Sequence, residues 1–482
     1  MHRNNFLPHV ALALVLILVA AFAGQIRKWK WRRHSPRGTL VTRPHVGPRF
    51  EGAAEQQKSI RTEIFVRFRS GVSEAEIQRI TAQLHDRIED ETEAVAGLEL
   101  IADEDGNSVA GLIKEYSAMR EVEYAEPIFR ITTEPVQNTS NWDTTENGPA
   151  AKPVYPNDPR FREQWALANV GQNAGKADAD ISALRAWMTT TGSDQVVVAV
   201  LDSGVDYKHP DLANNIWTRP ENIKAYNDNS LGGEIDDARG YNALDNDADP
   251  MDENGHGTHC AGIIGAEGGN NEGIAGVNWT VKIMPLKFMD ATGSGTTKDA
   301  VEAINYVIDR KKAGVNVRII SASWGSTERS RALEDVIRKA YQEDILFVAA
   351  SGNSSVDTDM NPHYPSSYNV GNVISVAALD RNDQLASFSN FGARSVHIAA
   401  PGKEILSTWL DNDFREASGT SMATPMVAGV AALVLAKNPQ LNVDQLRKLL
   451  LDSVDKLPAV KGKVVTGGRI NAARAVGGQW QL

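Results

Sequence analysis

From about residue 158 onward, the chain alternates short apolar runs with segments of helical periodicity. Four runs are continuously apolar and end in small or polar residues: VVVAVLDSGV (196–205), VRIISASWG (317–325), ILFVAASGN (345–353) and VISVAA (373–378). Such runs are typical of strands that are buried on both faces of a parallel sheet. Residues 298–314 and 330–344 have helical spacing. The pattern predicts an α/β fold, a doubly wound and mostly parallel sheet with helices on both faces.

A smaller pattern precedes this one, over residues 59–133. TEIFVRF (62–68) alternates apolar and polar side chains, as a half-buried strand does. Ser73, with Glu76 three residues later, opens an amphipathic helix over 73–88, and SVAGLIKEYSAM predicts a second helix. VAGLELIA and VEYAEPIFRI predict further strands. The order indicates a small α+β unit of the ferredoxin-like β-α-β-β-α-β type.

The first 34 residues predict a signal peptide or a membrane anchor. Residues 10–24 are uninterruptedly apolar, close to the roughly 7–15 residues of a signal-peptide core, and Ala21-Phe22-Ala23 offers a cleavage site. The basic flank RKWKWRRH opposes translocation and suits lipid headgroups. We expect export, with the segment either cleaved or kept as an anchor. An anchor that leaves the chain on the cytoplasmic side is the alternative.

Residues 35–58 and 134–155 are polar and contain many Pro, Gly, Thr or Asn residues, which predicts linkers.

The charge and the cysteine content of the chain narrow the classes of function that it can have. The formal net charge of the 482-residue chain is -11, which disfavours a nucleic-acid binder because phosphate contacts need clustered Lys and Arg. Cys260 is the sole cysteine, so disulfides within the chain are excluded and bound ions or the core must supply stability.

Four chemically suitable side chains follow strand ends or open a helix. Asp202 ends an apolar run, His256 lies in NGHGTHCAG, Asn353 ends another run, and Ser421 begins the GTSMATPMVAG helix. A serine hydroxyl becomes a nucleophile when an imidazole takes its proton, and a buried carboxylate orients that imidazole. A side-chain amide and the N–H groups of a helix N-terminus can bind an oxyanion. Together they predict an acyl-transfer site.

Each of these residues also has an ordinary structural interpretation. A serine before an apolar helix is commonly an N-cap, and an aspartate after a strand is commonly a turn former. His256, His259 and Cys260 could be metal ligands, but structural zinc needs about four ligands and the chain has no second cysteine. Ser421 is outside a G-x-S-x-G motif, which argues against an α/β-hydrolase. The co-occurrence of all four groups favours catalysis.

The motifs VAVLDSGVDYKHPDL, NGHGTHCAGIIGA, VAASGN and GTSMATPMVAG closely resemble the Asp, His, oxyanion-Asn and Ser blocks of the subtilisin-like serine proteases, over residues 156–482. The resemblance implies that Asp202 orients His256, that His256 is the general base and acid, that Ser421 is the nucleophile and that Asn353 binds the oxyanion. It implies that His259 packs in the interior.

Two further segments resemble the strands with which that family binds substrate. They are Gly293, Ser294 and Gly295, and Ser323, Trp324 and Gly325. A peptide would add as a strand between them through main-chain hydrogen bonds. An ordinary loop is the alternative interpretation of the first segment.

The resemblance also implies structural calcium. One set has Asp158, Asp211 and Asn270 as side-chain ligands, with the carbonyls of Glu272 and Ile274. Hard oxygen ligands suit Ca²⁺. A second set is Asp245, Asp247, Asp249 and Asp252, for which a solvated acidic loop is the alternative.

The small N-terminal unit resembles the family's inhibitory propeptide, especially at VEYAEPIF. The resemblance implies that its tail lies in the cleft and that Ser421 cuts between about Ile131 and Tyr155. We therefore expect a monomeric, calcium-dependent, self-processing serine endopeptidase that acts on polypeptides and is inhibited by its own propeptide. Membrane association through the N-terminus is part of this expectation. The alternative is a catalytically silent scaffold with the same fold that binds peptides or is tethered to a membrane.

Overall fold

The computed structural model describes residues 62–133, 154–228 and 233–477. The predicted signal or anchor segment (1–34), the linker 35–58 and all but the end of the linker 134–155 lie outside the described residues.

Residues 62–133 form the small unit, a four-stranded antiparallel sheet with two helices and one outlying strand. Its elements are β1 (Glu63–Phe68), α1 (Glu74–Gln83), β2 (Asp86–Glu91), β3 (Leu98–Asp103), α2 (Val109–Ser117), β4 (Val122–Pro127) and β5 (Arg130–Thr132). The strand order is β2-β3-β1-β4. The predicted β-α-β-β-α-β order is confirmed.

The alternating pattern of β1 has the expected consequence. Ile64 and Val66 pack beneath the two helices, in a core that includes Leu112 and Tyr116. Phe65, on the opposite face, belongs to a core shared with the rest of the protein. Both faces of the small sheet are therefore covered, one by its own helices and the other by the larger unit.

Two predicted boundaries in the small unit were wrong. The first helix ends at Gln83 instead of Ile88, because His85 adopts a left-handed φ of 57° and the chain then turns back into β2. The predicted strand 122–131 is two strands, β4 and β5. β4 ends at Pro127, which lacks the N–H that a continuing ladder needs, and β5 pairs with a different sheet.

The remaining described residues form a large unit around a nine-stranded sheet. The strands of this unit are β6 (Gly192–Asp202), β7 (Tyr226–Asp228), β8 (Gly233–Ile235), β9 (Tyr241–Asn242), β10 (Thr280–Lys287), β11 (Ser294–Thr296), β12 (Val317–Ala322), β13 (Leu346–Ala350), β14 (Val373–Leu379), β15 (Ile398–Pro401), β16 (Ile405–Trp409), β17 (Asp413–Ala417), β18 (Val454–Lys456) and β19 (Gly468–Ile470). Of these, β7, β8, β11, β16 and β17 belong to separate two-stranded sheets. The sheet order is β18-β19-β15-β14-β13-β12-β6-β10-β9, and every neighbouring pair except β18–β19 is parallel.

The α-helices of the large unit cover both faces of this sheet. They are α3 (Ala183–Ala186), α4 (His256–Gly265), α5 (Thr297–Lys312), α6 (Arg331–Gln342), α7 (Thr420–Lys437), α8 (Val443–Asp452) and α9 (Ala472–Ala475). Along β6, Val198 and Val200 join the core that contains α4 and α7, while Val197 and Leu201 join the core that contains α5 and α6. Burial on both faces explains why the strands are continuously apolar, and the predicted doubly wound fold is confirmed.

Helix α7 is buried along almost its whole length, from Thr420 to Leu435. Among the described residues it is the one helix that is long and apolar enough to cross a membrane, but 89% of its apolar window is buried in the protein. It lies against β6 and β12 to β15. These contacts make it a core helix that carries its first residues to the carboxyl edge of the sheet.

The start of α4 lies unusually close to the chain that follows β6. A Cβ atom built on Gly257 would lie 2.0 Å from the carbonyl oxygen of Gly204 and 3.1 Å from the Cβ of Asp202. Only a glycine permits this approach, because the nearest obstacle is main chain and cannot rotate away.

We predict that Gly257→Ala destabilises the protein by about 1–3 kcal/mol or more, because overpacking forces α4 away from β6. Thermal unfolding measures the effect. Gly111→Ala is the matched control, since its Cβ would meet only the Ser108 hydroxyl, at 3.3 Å, within helix α2. An unchanged melting temperature in Gly257→Ala would contradict the packing described.

Candidate active site

The carboxyl edge of the sheet collects the four side chains that the sequence singled out. Asp202 is the last residue of β6, and Asn353 follows the end of β13. His256 is the first residue of α4, and Ser421 is the second residue of α7. Parallel strands end at the same edge of a sheet, which is why residues distant in sequence come together here.

A buried carboxylate–imidazole pair lies at the centre of this edge. Nδ1 of His256 is 2.7 Å from Oδ1 of Asp202, and the two side chains are 2% and 1% exposed. Burial by itself lowers the pKa of His256, but the adjacent Asp202 carboxylate outweighs burial, and the pKa lies above its usual value. Nε2 of His256 is buried and has no hydrogen-bond partner among the described residues. The arrangement can hold Nε2 unprotonated and ready to accept a proton.

A second hydrogen-bonded group fixes the position of the His256 helix. The main-chain N–H of Ser203 donates to Oδ1 of Asp202 at 2.8 Å. The Ser203 hydroxyl donates to Asp252 at 2.9 Å and accepts from the N–H of Gly257 at 3.0 Å. The strand that carries the carboxylate is thereby linked to the helix that carries the imidazole.

Asp252, which the sequence placed among calcium ligands, is part of this group instead. Its carboxylate accepts from the N–H groups of Asn254 and Gly255 and from both the N–H and the hydroxyl of Thr258, besides the Ser203 hydroxyl. Donors therefore surround both of its oxygens, which favours a structural role at the start of α4. An acidic residue just before a helix start was the sequence signal for this role.

Ser421 presents its hydroxyl at the N-terminus of α7. Oγ of Ser421 donates to the carbonyl oxygen of Ser323 at 2.9 Å, and Oγ of Ser323 donates to the carbonyl oxygen of Ser421 at 2.8 Å. Gly419 precedes the helix and has no side chain with which to cap it. The hydroxyl therefore lies at the positive end of the helix dipole.

Asn353 is oriented by the residue before Ser421. Its Oδ1 accepts from the main-chain N–H of Thr420 at 2.8 Å and from the Thr420 hydroxyl at 3.0 Å. These two contacts fix the carboxamide with Nδ2 on the other side, 3.2 Å from the position that a Cβ on Gly419 would occupy. The N–H₂ donor thus lies beside the start of α7, where an oxyanion acceptor would lie.

The other two candidate metal ligands of HGTHC have separate environments. His259 is buried, its Nε2 lies 3.1 Å and 3.0 Å from two main-chain carbonyl oxygens, and burial lowers its pKa to about 3. Cys260 is buried, its pKa is raised by burial, and its Sγ lies 3.5 Å from the carbonyl oxygen of Ser421. Possible ligand atoms of Asp202, His256 and Cys260 lie within 4.8 Å of one another, but this group is the candidate catalytic site itself.

The two predicted peptide-binding segments flank a strand of the chain's own small unit. β5 pairs with β11 in antiparallel register, with Gly295 opposite Ile131, and Thr132 forms a bridge with Gly325. The N–H of Thr133 donates to the carbonyl oxygen of Gly293 at 2.8 Å. The tail of the small unit therefore lies between residues 293–295 and 323–325 as an added strand.

The side chains of these segments have different uses. A Cβ on Gly293 would lie 2.3 Å from the Thr133 hydroxyl, so this glycine admits the tail. A Cβ on Gly325 would instead meet the His363 ring at 2.1 Å. Trp324 is buried, and its Nε1 donates to the carbonyl oxygen of Leu201 at 2.8 Å. Trp324 thus supports the end of β6 beneath the groove.

The first predicted calcium set is brought together by the fold. The N–H of Ile274 donates to Oδ2 of Asp211 at 2.9 Å, and the Asn270 amide donates to its Oδ1 at 2.8 Å. Burial, together with the neighbouring Asp158 and Glu272 carboxylates, raises the pKa of Asp211 to about 7. Oδ1 of Asp158 is buried and has no hydrogen-bond partner among the described residues. These oxygens fit a hard cation.

The carboxylates of the second predicted calcium set lie in a loop and accept hydrogen bonds from nearby side chains. The Asn242 amide donates to Asp245 and Asp247, both at 3.1 Å. Asp249 accepts from the Tyr207 hydroxyl at 2.9 Å. Because the Asp252 carboxylate is hydrogen-bonded at the start of α4, the other three carboxylates of this set remain as candidate calcium ligands.

Comparison with known proteins agrees with this geometry. Residues 193–470 match the model of the subtilase family, Peptidase S8. The chain is 39% identical over 291 residues to a thermophilic serine proteinase of Bacillus sp. (strain AK1), covering 60% of this chain and 64% of that protein. It is 36% identical over 296 residues to thermitase of Thermoactinomyces vulgaris, covering 61% of this chain and 93% of thermitase.

More distant relatives and a solved structure extend the comparison. Subtilisin-like protease 1 of Plasmodium falciparum is 34% identical over 300 residues, which are 58% of this chain and 43% of that protein. The chain thus spans well under the full length of some of these relatives. A solved protease from Pseudoalteromonas arctica superposes with a TM-score of 0.55 at 29% identity, over 67% of this chain and 99% of the solved chain. The chain belongs to the subtilase family of subtilisin-like serine proteases.

Proposed function

We propose that this chain is a self-processing serine endopeptidase in which Ser421 is the nucleophile, His256 the general base and acid, and Asp202 the group that orients the imidazole. One observation carries the proposal: a strand of the chain's own small unit lies in the groove between residues 293–295 and 323–325, at the edge that carries the Asp202–His256 pair. That placement is the one a peptide substrate needs.

The proton path follows from the tautomer. Asp202 accepts the proton on Nδ1 of His256, so Nε2 carries the lone pair. Rotation of the Ser421 side chain exchanges its present acceptor, the Ser323 carbonyl, for Nε2. Oγ of Ser421 then bonds to the substrate carbonyl carbon while His256 takes the proton. His256 next gives this proton to the leaving amine as the C–N bond breaks, and water hydrolyses the acyl-enzyme by the reverse sequence.

Stabilisation of the oxyanion is assigned to Asn353 and to the first turn of α7. The carboxamide is held in place by Thr420 before any substrate binds. A donor that is already oriented needs no reorganisation when charge develops, and removal of one such donor costs about 10²–10³ in turnover.

The small unit fits the role of an inhibitory propeptide. The Glu126 carboxylate accepts from the Ser330 hydroxyl at 2.7 Å and from the N–H groups of Arg331 and Ala332, both at 2.9 Å. It therefore caps the N-terminus of α6, where a negative charge is stabilised by the helix dipole. The Tyr124 hydroxyl donates to Asp335 at 2.8 Å. With its body anchored on α6, the unit holds its tail in the groove, and Ser421 cuts between about Ile131 and Tyr155.

The enzyme is also proposed to bind structural calcium and to be exported. Asp158, Asp211 and Asn270, with the carbonyls of Glu272 and Ile274, would hold structural Ca²⁺, and Asp245, Asp247 and Asp249 form a second candidate set. Polypeptides are the substrates and the mature enzyme is a monomer. Export through the N-terminal apolar segment, cleaved or anchored, stays a prediction because residues 1–61 lie outside the described residues.

Self-processing is tested by expressing residues 35–482 with calcium, as wild type and as Ser421→Ala. We expect the wild type to lose its N-terminal unit and Ser421→Ala to keep it, because loss of the nucleophile lowers turnover by about 10⁶-fold. Intact mass and N-terminal sequencing measure the products. The exposed Ser354→Ala is the matched control and should process normally. If both Ser421 forms stay full length or both are cut identically, the proposal is wrong and a scaffold is favoured.

The pH dependence follows from the pair at the site. Since the pKa of His256 lies above its usual value, kcat/KM should rise with pH as the imidazole loses its proton and should reach a plateau above neutral pH. Asp202→Asn should move this limb to lower pH and lower kcat by about 10⁴-fold. Peptide hydrolysis from pH 5 to 10 measures both effects, with Asp206→Asn as the control. An unshifted limb in Asp202→Asn would show that another group is the base.

Calcium is tested on the stable Ser421→Ala chain at pH 8, so that no proteolysis intervenes. A ligand at about 100 times its Kd contributes about 2.7 kcal/mol, so EDTA should lower the melting temperature by about 5 °C. In Asp211→Asn the effect of EDTA on the melting temperature should be smaller than in the parent, because one of the proposed calcium sites is lost. Glu272→Gln is the matched control, because its carbonyl and not its carboxylate is the proposed ligand. A melting temperature that is the same with and without EDTA contradicts the calcium proposal.

A further inference from the structure

Three aspartates meet at one end of the small unit, apart from the proposed calcium sets of the large unit. Asp86 begins β2 and Asp103 ends β3, and the two residues are direct cross-strand partners. Asp105 follows two residues later in the turn. One carboxylate oxygen of each residue lies within 4.8 Å of the others. Like charges placed directly opposite on neighbouring strands destabilise a sheet unless something compensates for them.

Two of the carboxylate oxygens are buried and have no partner. Oδ1 of Asp86 and Oδ1 of Asp103 make no hydrogen bond to any described residue, and the two residues are only 8% and 6% exposed. Their other oxygens are used: the Tyr116 hydroxyl donates to Asp86 at 2.9 Å, and the Gly106 N–H donates to Asp103 at 2.7 Å. Each residue is therefore oriented by a hydrogen bond to one of its carboxylate oxygens and has one unsatisfied oxygen left.

The charges near this pair do not compensate for it. The charged groups that lie near Asp86 are the carboxylates of Asp103, Asp105 and Glu115, which are all acidic. Asp105 is itself exposed, so the group is open to solvent on one side.

We propose that Asp86, Asp103 and Asp105 bind a hard divalent cation, calcium, in the small unit. Three carboxylates supply oxygen ligands of the kind that Ca²⁺ takes, and water on the open side of Asp105 completes the coordination. The cation bridges the ends of β2 and β3 and removes the repulsion between two buried charges. Because the ligands come together only in the folded unit, binding stabilises its fold.

The ion count tests the site directly. The full chain carrying Ser421→Ala keeps the small unit attached, and equilibrium dialysis against about 1 mM ⁴⁵Ca²⁺, at the weak end of known calcium-site affinities, measures bound calcium per chain. We expect Asp103→Asn and Asp86→Asn each to bind one ion fewer than the parent. Glu104→Gln is the matched control, since this exposed neighbour pairs with Arg87 and should leave the count unchanged.

Terbium luminescence provides a readout that keeps all three carboxylates. Tb³⁺ occupies calcium sites, and the Tyr116 ring is hydrogen-bonded to a proposed ligand, so it should sensitise the emission. Tyr116→Phe should remove that part of the emission while the calcium count stays the same. This variant also decides the case if an aspartate substitution prevents folding.

Two results would overturn the proposal. One is an unchanged calcium count in folded Asp103→Asn together with unchanged emission in Tyr116→Phe. The other is a parent chain whose melting temperature rises on acidification, while Asp103→Asn shows no such rise and binds as many calcium ions as the parent. That result would mean that a shared proton, and not a cation, neutralises the pair. None of these measurements uses catalysis, so failure of this site leaves the proposed protease function untouched.

Discussion

The buried contact between Asp202 and His256 is the interaction on which the rest of the site depends. A carboxylate that is 1% exposed is costly without donors, and here the imidazole at 2.7 Å and the Ser203 N–H both donate to Oδ1 of Asp202. Oδ2 of Asp202 has no hydrogen-bond partner among the described residues. The contact requires α4 to start almost against the end of β6, which explains the glycine at 257. It also requires that start to be fixed, which the Asp252 carboxylate does through its contacts to Ser203 and Thr258.

The same edge accepts an extended chain because two short segments there leave main-chain groups for pairing. In this structure the partner is the strand Arg130–Thr132, which leaves its own sheet after Pro127. The four-stranded sheet thus forms the body of the small unit, and a separate strand, β5, lies in the groove. Docking of its body through Glu126 on α6 and seating of its tail are distinct contacts, so each can be changed without the other.

Much of this could be predicted from the sequence, and the failures have physical causes. Continuous apolar runs identify strands covered on both faces, and strand ends identify the edge where Asp202 and Asn353 lie. The helix predicted through Ile88 was wrong because periodicity does not reveal the left-handed turn at His85. Asp252 was predicted as an ion ligand because composition cannot distinguish an acidic loop from an acceptor that internal donors satisfy. Cross-strand pairing of Asp86 with Asp103 depends on register, which the sequence leaves open.

The central claim is that His256 activates the Ser421 hydroxyl, and a fluorophosphonate probe tests it most directly. The probe reacts with a serine only when a neighbouring base activates it. After the small unit is separated from the groove, peptide mass mapping should place one label on the peptide that contains Ser421, and His256→Ala should abolish it while the chain stays folded. Absence of label on the folded wild type, or equal labelling of Ser421→Ala, would contradict this account.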